Sequence, residues 1–489
     1  MFRVFRVAVC VSLSTAAVFG IAGAREPVPL QVLTVGGGPR PDHNQAAIES
    51  NVRYVAGLLP TGAQNRVLFA DGNPQTQCVL YSDVPKNRSE AERAFRLLFN
   101  GTDAEEHYRA PRLPAQNGPS QVPAIHAEME RLAQTGSNPA LLYFTGHGDR
   151  KRDLDNNVYA LWETEQNPNA GLSVRQLAGE IARLPQEKPV TLVMVQCFSG
   201  AFGNVLFEDG DPRAALVDRP ICGFFATTRE RMAAGCTPEI NEADYKDFTS
   251  YFFAALSGRD RLGRTVTGAD YNKDGRVGMD EAFAYSLITE PSADVPVCTS
   301  DVFLRRYLPI PDDEVARLPY SQVRQMANPW QQAALDGLSR QLGEAGENRL
   351  KVALADVRTR NEGQGEPTAT TTAMREARDT LEETRDDLAQ RFPSLKRRRG
   401  GGPEQGDQKA VAFLEQHPQT VRRVRDAARV WQSRYEAQEG DELRGVRYLR
   451  LMRVAKSVVL EKRLRNSGNA ELVARFDKLR ALEAQNPLR

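Results

Sequence analysis

The sequence predicts an α/β protein, a three-layer α/β/α sandwich with a mostly parallel sheet, followed by an all-α C-terminal region. Three observations carry this expectation. Short apolar, β-rich runs recur before residue 310 with helical patterns between them, the alternation that gives parallel strands covered by helices. After about Leu308 those runs cease, and the sequence becomes proline-punctuated and rich in Gln and Arg. Charge changes near the same place: from Ser321 onward 32 Lys and Arg face 24 Asp and Glu, whereas the residues before it carry seven net negative charges. An acidic front part and a basic back part point to two units with different surroundings. With 41% hydrophobic and 26% charged residues among 489, the composition excludes wholesale disorder, a collagen-like repeat and a polytopic membrane protein.

Taken in order, the chain opens with Arg3 and Arg6, an uncharged apolar run from Val7 to Ile21, and the small residues Ala22-Gly23-Ala24. That is the layout of a secretory signal peptide over residues 1–24, cleaved after Ala24, so the protein is expected to be secreted or periplasmic with no membrane span after cleavage. Strands are predicted over Leu30 to Val35, Arg66 to Ala70, Ala140 to Thr145, Val190 to Gln196 and Ile221 to Thr227. Helices are predicted over Asn44 to Leu59, Ser89 to Phe99, Val122 to Ala133, Ser173 to Leu184 and Asp244 to Leu256, where apolar residues fall three and four apart. The C-terminal region is predicted helical over Gln331 to Val357, Ala373 to Gln390, Lys409 to Ser433 and Leu443 to Glu483. Gly- and charge-rich linkers are expected near 361–371 and 396–407.

Cys10 falls in the signal segment, leaving Cys78, Cys197, Cys222, Cys236 and Cys298, an odd number for an oxidising compartment. Cys222 and Cys236 are close enough in sequence to close a short loop, and Cys78 with Cys298 is the remaining pair if Cys197 is free. The sequence does not fix that pairing.

Two strand ends carry the chemistry. Thr145-Gly146-His147-Gly148 places a histidine between glycines directly after one predicted strand, and Gln196-Cys197-Phe198-Ser199-Gly200 places a cysteine at the end of the next. In a parallel sheet the carboxyl ends of neighbouring strands open into one crevice. A thiol to attack a carbonyl and an imidazole to move protons are what cysteine nucleophilic catalysis requires. The backbone N–H groups of Gly148 and Cys197 are candidates for holding an oxyanion. A lone buried cysteine is more often packing than chemistry. Here that reading would have to explain two glycine-associated motifs and an odd thiol together. Zinc is disfavoured, because no Cys-x-x-Cys or His-x-x-x-His spacing occurs.

At these residues the sequence resembles the legumain and caspase clan of cysteine peptidases over roughly Leu30 to Leu308. Phe144-Thr145-Gly146-His147-Gly148 is similar to the histidine motif of legumain, and Cys197-Phe198-Ser199-Gly200 to its Cys-Glu-Ser-Gly. Ala226-Thr227-Thr228 followed by Cys236 resembles a segment that lines the primary specificity pocket there. Val35-Gly36-Gly37-Gly38 leading to His43-Asn44-Gln45-Ala46 resembles the segment supplying a basic pocket residue and an asparagine that orients the histidine. The resemblance implies a caspase-like fold over 25–310 and a Cys197–His147 dyad that hydrolyses peptide bonds through a thioacyl-enzyme, with no cofactor for the chemical step. It also implies a substrate pocket drawn from Phe198, Thr227, Thr228, Arg229, Glu239, His43 and Asn44. Phe198 replaces legumain's acidic residue, His43 or Arg40 supplies the basic one, and Asn44 or Asp42 orients His147. An arginine-lined pocket of the caspase type would use Arg229.

Downstream, Asp270 to Glu281 fits a twelve-position EF-hand calcium loop: Asp270, Asn272 and Asp274 at positions 1, 3 and 5, Gly275 at the turn, the Arg276 carbonyl, and Glu281 closing. The following helix is expected over Asp280 to Leu287, whereas Gly258, Gly263 and Gly268 interrupt the lead-in. No second loop is present to pair with it, so calcium is expected to be structural or regulatory.

The region 311–489 alternates Arg with Glu and Asp and lacks the interleaving of aromatic with basic residues that nucleic-acid binding favours, so no nucleic acid is expected. Its basic excess suits either an anionic partner or docking on the rest of the chain. The sequence therefore predicts an exported cysteine endopeptidase acting on a protein or peptide substrate. The alternatives are an inactive calcium-binding interaction protein on the same fold, or a transpeptidase using the same dyad.

Overall fold

The structure is a computed structural model that describes residues 29–362, 369–397 and 405–489. The predicted signal segment and most of both predicted linkers lie outside the described residues. Strands β1 (Gln31–Gly37), β2 (Gln64–Phe69), β5 (Ala140–Gly146), β9 (Val190–Met194), β10 (Ile221–Phe225) and β11 (Val297–Cys298) form one six-stranded sheet in the order β11-β10-β9-β5-β1-β2. All its pairings are parallel except the short β11, which runs antiparallel on β10 with Phe224 opposite Cys298. The strands read as continuous apolar runs because their residues are buried on both faces, as every residue of β1, β5 and β10 is.

Two smaller sheets were not legible in the sequence. The β3 (Val79–Asp83) and β4 (Glu105–Arg109) pair is antiparallel, and β6 (Gly148–Asp149), β7 (Val158–Ala160) and β8 (Gly171–Ser173) form a three-stranded ribbon beside the end of β5. Glu105-Glu106-His107-Tyr108-Arg109 has no apolar alternation to mark it as a strand, and β6 to β8 are two or three residues long.

The helices between the strands are α1 (Ala46–Leu58), α2 (Glu90–Asn100), α3 (Val122–Ala133), α4 (Val174–Ala182) and α5 (Phe248–Ser257), all within a few residues of the predicted spans. Ser89 and Ser173 open α2 and α4 with reciprocal capping boxes, and Asp247 caps α5 by accepting the Ser250 N–H at 2.7 Å. The last cap moves the start of α5 to Phe248, beyond the predicted Asp244, which sits instead in a 3-10 turn. Next come α6 (Met279–Thr289), α7 (Thr299–Tyr307), α8 (Asp312–Ala316), α9 (Tyr320–Met326), α10 (Pro329–Leu342) and α11 (Arg349–Asn361). The span predicted as one helix over Gln331 to Val357 is broken because Gly343 takes the left-handed conformation, φ +73°, that ends α10. Helices α12 (Ala369–Arg391) and α13 (Gln405–Gln416) follow. The helix predicted over Lys409 to Ser433 is broken at His417, before Pro418, and its remainder joins the start of the one predicted over Leu443 to Glu483 as a single helix, α14 (Pro418–Arg465), separated by Asn466-Ser467-Gly468-Asn469 from α15 (Ala470–Glu483). The C-terminal region is helical, as expected.

The core does not stop at residue 310. One contiguous apolar cluster runs from Leu30 and the sheet strands through Trp330 and Leu338 of α10 and Leu451 and Leu460 of α14 to Leu488. At about 25 cal/mol per Å² of apolar surface removed from water, burial on this scale commits the C-terminal helices to the same folded unit as the sheet. A second cluster joins Phe95 of α2 to Leu388 of α12 and Leu414 of α13. Among the described residues no helix is long and apolar enough to cross a membrane.

The five described cysteines are all free thiols. The possible Cys222–Cys236 bridge is absent because Cys222 points into the sheet core beside Thr191, whereas Cys236 lies against the Gly146 carbonyl at the crevice. The possible Cys78–Cys298 bridge is absent because Cys78 is buried beside Asn44 and Cys298 beside Ser300 on the far edge strand.

Candidate active site at the carboxyl ends of β5 and β9

Strands β5 and β9 are neighbours in register, Phe144 opposite Met194, and the Val195 N–H still donates to the Phe144 carbonyl at 3.0 Å. His147 and Cys197 follow immediately, so the sheet delivers both motifs to one edge. The glycines make the approach possible. A Cβ on Gly148 would overlap the Cys197 carbonyl oxygen, and one on Gly146 would sit 2.5 Å from the Gly37 carbonyl and 2.8 Å from the Tyr159 hydroxyl. The two glycines around His147 thus let its strand end nest between β1 and the cysteine turn. Phe198, directly after Cys197, adopts φ +60°, a conformation that costs a bulky residue about 1 kcal/mol and recurs at functional turns.

His147 Nε2 lies 2.8 Å from the His43 carbonyl and 2.9 Å from Gln45 Oε1. Both partners only accept, so Nε2 carries the hydrogen and Nδ1 keeps a lone pair free to take a proton. The His43 carbonyl is held where a Cβ on Gly38 would overlap it, which accounts for the glycine run after β1. Burial pushes the His147 imidazole below its usual value and the Cys197 thiol above its own, so the resting pair is neutral imidazole and neutral thiol. Cys197 Sγ accepts the Ala233 N–H at 3.3 Å and lies 3.8 Å from the Ala233 carbonyl.

The residues expected to line a substrate pocket separate into groups. His43 is near the centre, its ring edge-on to His147 at 5.7 Å between centroids and its Nδ1 3.0 Å from Asp42. Asn44 is not available to a substrate: its side chain is fully buried, accepting the Gly38 N–H at 3.2 Å and donating to the Cys78 carbonyl at 3.0 Å. Neither Asn44 nor Asp42 orients His147; Gln45 does. Arg40 pairs with Asp42 at 3.3 Å and Glu163 at 3.4 Å. Thr227 and Thr228 pack against the cysteine turn, where Ser199 Oγ accepts the Thr227 N–H at 3.3 Å and a Cβ on Gly200 would press on the Thr227 carbonyl. Arg229 pairs with Asp155 and Glu230 and borders a cavity of about 420 Å³ with Gly200, Thr228 and Arg453. Glu239 is exposed on the loop after Cys236, its backbone amide accepted by Thr237 Oγ1.

Several residues that the motifs did not reveal belong to the same region. Gln196, 1% exposed, has neither side-chain polar atom hydrogen-bonded, and Thr227 Oγ1, Asp247 Oδ2 and Asp294 Oδ2 are likewise buried without a hydrogen-bond partner. Such atoms are rare in folded interiors, and each calls for a water or ligand to satisfy it. Asp247 lies behind Gly235, where a Cβ would sit 2.7 Å from the Asp247 Cβ, and is 3.6 Å from the buried Arg261 guanidinium.

The Asp270 to Glu281 segment forms a compact loop. Asp270 accepts the Asp274 and Gly275 N–H groups, Asp274 accepts the Arg276 N–H, and Glu281 accepts those of Tyr271, Asn272 and Gly278. Gly275 takes φ +86° at the turn. Among the described residues no group of three or more His, Cys, Asp or Glu side chains is placed to hold a metal ion. The donors here are oxygen atoms of three carboxylates, an amide and a carbonyl, a hard set of the kind calcium takes.

No protein-family model and no curated protein matches the chain. Among solved structures, the crystal structure of protein GSU0716 from Geobacter sulfurreducens aligns at 11% identity and a TM-score of 0.31, over 55% of this chain and 92% of that one.

Proposed function

We propose that this protein is an exported cysteine endopeptidase of the legumain and caspase type, with a caspase-like sandwich as its catalytic part. One observation carries the reading: a thiol and an imidazole follow adjacent parallel strands, and the imidazole is anchored through Nε2 with Nδ1 left to act. In the proposed reaction Cys197 Sγ attacks the scissile carbonyl while its proton passes to His147. The Gly148 and Cys197 amides hold the oxyanion, His147 protonates the departing amine, and water, deprotonated by His147, then hydrolyses the thioester. Histidine 43, Thr228 and Arg229 are proposed to line the substrate path for a protein or peptide. Calcium, held by Asp270, Asn272, Asp274, the Arg276 carbonyl and Glu281, would brace the loop and takes no part in bond cleavage.

A second reading, an inactive calcium-binding interaction protein, is favoured by the burial that holds the Cys197 thiol up, away from the reactive thiolate. The test is cleavage of fluorogenic peptides varied before the scissile bond, with calcium, by the parent and by Cys197→Ala. Turnover by the parent alone, with both chains melting alike, supports the peptidase. No turnover by either moves the assignment to the binding protein, and capture of the acyl group by an added amine in place of water marks a transpeptidase.

A further inference from the structure

Cys197 is joined to helix α14, some 250 residues away in sequence, through a short series of hydrogen bonds. The Ala233 N–H donates to Cys197 Sγ, and the next amide, of Ala234, donates to Asp294 Oδ1 at 2.7 Å. The loop is pinned a second time: the Phe198 N–H donates to the Arg231 carbonyl at 2.8 Å, and the Arg231 guanidinium to the Ala293 carbonyl at 3.4 Å. The turn over 290–294 has no regular structure of its own, and Arg450 of α14 shapes it. Its guanidinium donates to the carbonyls of Leu287 (3.0 Å), Glu290 (2.9 Å), Ser292 (3.1 Å) and Asp294 (2.8 Å). Arg450, Glu290 and Asp294 are all fully buried. A buried guanidinium costs several kcal/mol unless its donors are satisfied, and here they are met by the carbonyls at the C-terminal end of α6 and in the 290–294 turn that backs the cysteine loop.

We propose that Asp294 and Arg450 are positioning residues of the Cys197 centre: α14 fixes the 290–294 turn, and the turn fixes the Ala233 and Ala234 amides at the thiol. The inference rests on the peptidase reading for its effect on turnover, but not for its effect on the thiol. Burial pushes the Asp294 carboxyl up, so Asp294→Asn resembles the native side chain and keeps an oxygen for the Ala234 N–H, whereas Asp294→Ala removes it.

The test is the rate of Cys197 alkylation by iodoacetamide across pH in the full chain, read by peptide mass mapping so that the other thiols do not interfere, beside peptide turnover and thermal melting. Asp294→Ala is expected to slow Cys197 alkylation near neutral pH about tenfold and move its midpoint upward, because the Ala233 N–H that favours the thiolate is released, while Asp294→Asn stays within about twofold of the parent. That effect is larger than relief of the Asp294 charge, which with Asp149 adds to the burial that holds the thiol up. Arg450→Gln is expected to act in the same direction as Asp294→Ala. A folded Asp294→Ala with the parental alkylation profile overturns the proposal, as does an asparagine variant as slow as the alanine one. If Asp294→Ala does not fold, Asp294→Ser, too short to reach the amide, and Arg450→Gln are read by the same criteria. A shifted profile in a chain whose parent cleaves no peptide sustains the positioning role and removes the peptidase reading; an unchanged profile with active parent does the reverse.

Discussion

At the scale of single residues, the proposed dyad depends on how its histidine is held. Gln45 is one of two acceptors on Nε2, so Gln45→Ala leaves the ring tethered by the His43 carbonyl alone and is expected to lower kcat by about tenfold, the worth of one hydrogen bond in a partly buried site. Because burial lowers the His147 pKa, the acid limb of kcat/KM should fall below the usual imidazole value of 6.5, with activity lost as pH drops through it and none lost across neutrality. A kinetic pH profile checks both, since a limb at or above 6.5 would contradict the neutral resting pair. The placement of Cys197 and His147 at neighbouring strand ends was legible in the sequence because glycines flank the histidine and follow the cysteine, a local signature. Gln45 was legible only as a neighbour of Asn44, and the choice between them turns on direction. Asn44 begins the approach to α1 facing inward to Cys78, while Gln45 faces the crevice, a difference no spacing rule carries. Asp294 left no signal because its role is to meet a backbone amide far away in sequence.

At the scale of elements, the close contact between the His147 and Cys197 turns makes Gly148 a sharp test of the proposed peptidase. Gly148→Ala would drive a methyl into the Cys197 carbonyl and is expected to cost about 1–3 kcal/mol of stability, as overpacking does, and to abolish turnover. A melting curve with an assay separates this from a purely catalytic loss. The loop proposed to hold calcium gives a second prediction. Saturating calcium is expected to raise the melting temperature by mass action, about 2.7 kcal/mol at a hundredfold excess over Kd, and Asp270→Ala to remove the rise. The main strands and the helices between them were legible because burial on two faces or one leaves a clear pattern of apolar residues. The small sheets were not, since β4 is polar throughout and its pairing is decided by the hairpin partner. In the helical region glycine ends a helix only where it takes positive φ, as Gly343 does, whereas Gly440 and Gly445 lie inside α14 without doing so, and the missed break at His417 precedes Pro418, which opens a new helix.

At the scale of the whole molecule, the front and back of the sequence differ in charge yet share one core, because Arg residues of α14 split between two roles. Most lie on the solvated face that the sequence pattern describes, but Arg450 is buried, and nothing in its local sequence distinguishes it from Arg447 or Arg453. The buried cluster it enters predicts a pH dependence of stability. Burial raises Glu290 to about 7 against Arg450 of α14 and the hydrogen bonds of Ser292 and Asp294 in its own turn, which pull it down, with Asp247 at the start of α5 adding to the rise. A carboxyl titrating higher in the folded chain than in the unfolded one stabilises fully below its unfolded value of about 4.5, and that contribution is lost as pH rises through about 7. The melting temperature should therefore decline between pH 5 and 8 in the parent and decline less in Glu290→Gln.

The clasp between the calcium-type loop and the residues after α15 also bears on how the protein is made. Gln485 accepts the Met279 N–H at 3.0 Å and Asn486 donates to the Val277 and Leu256 carbonyls, both at 2.9 Å. A ribosome that has released Cys197 and His147 still holds α14 and this clasp, so the nascent chain carries both side chains before it owns the framework that positions them. Synthesis itself thus sets an interval between writing the Cys197 and His147 motifs and assembling the framework around them.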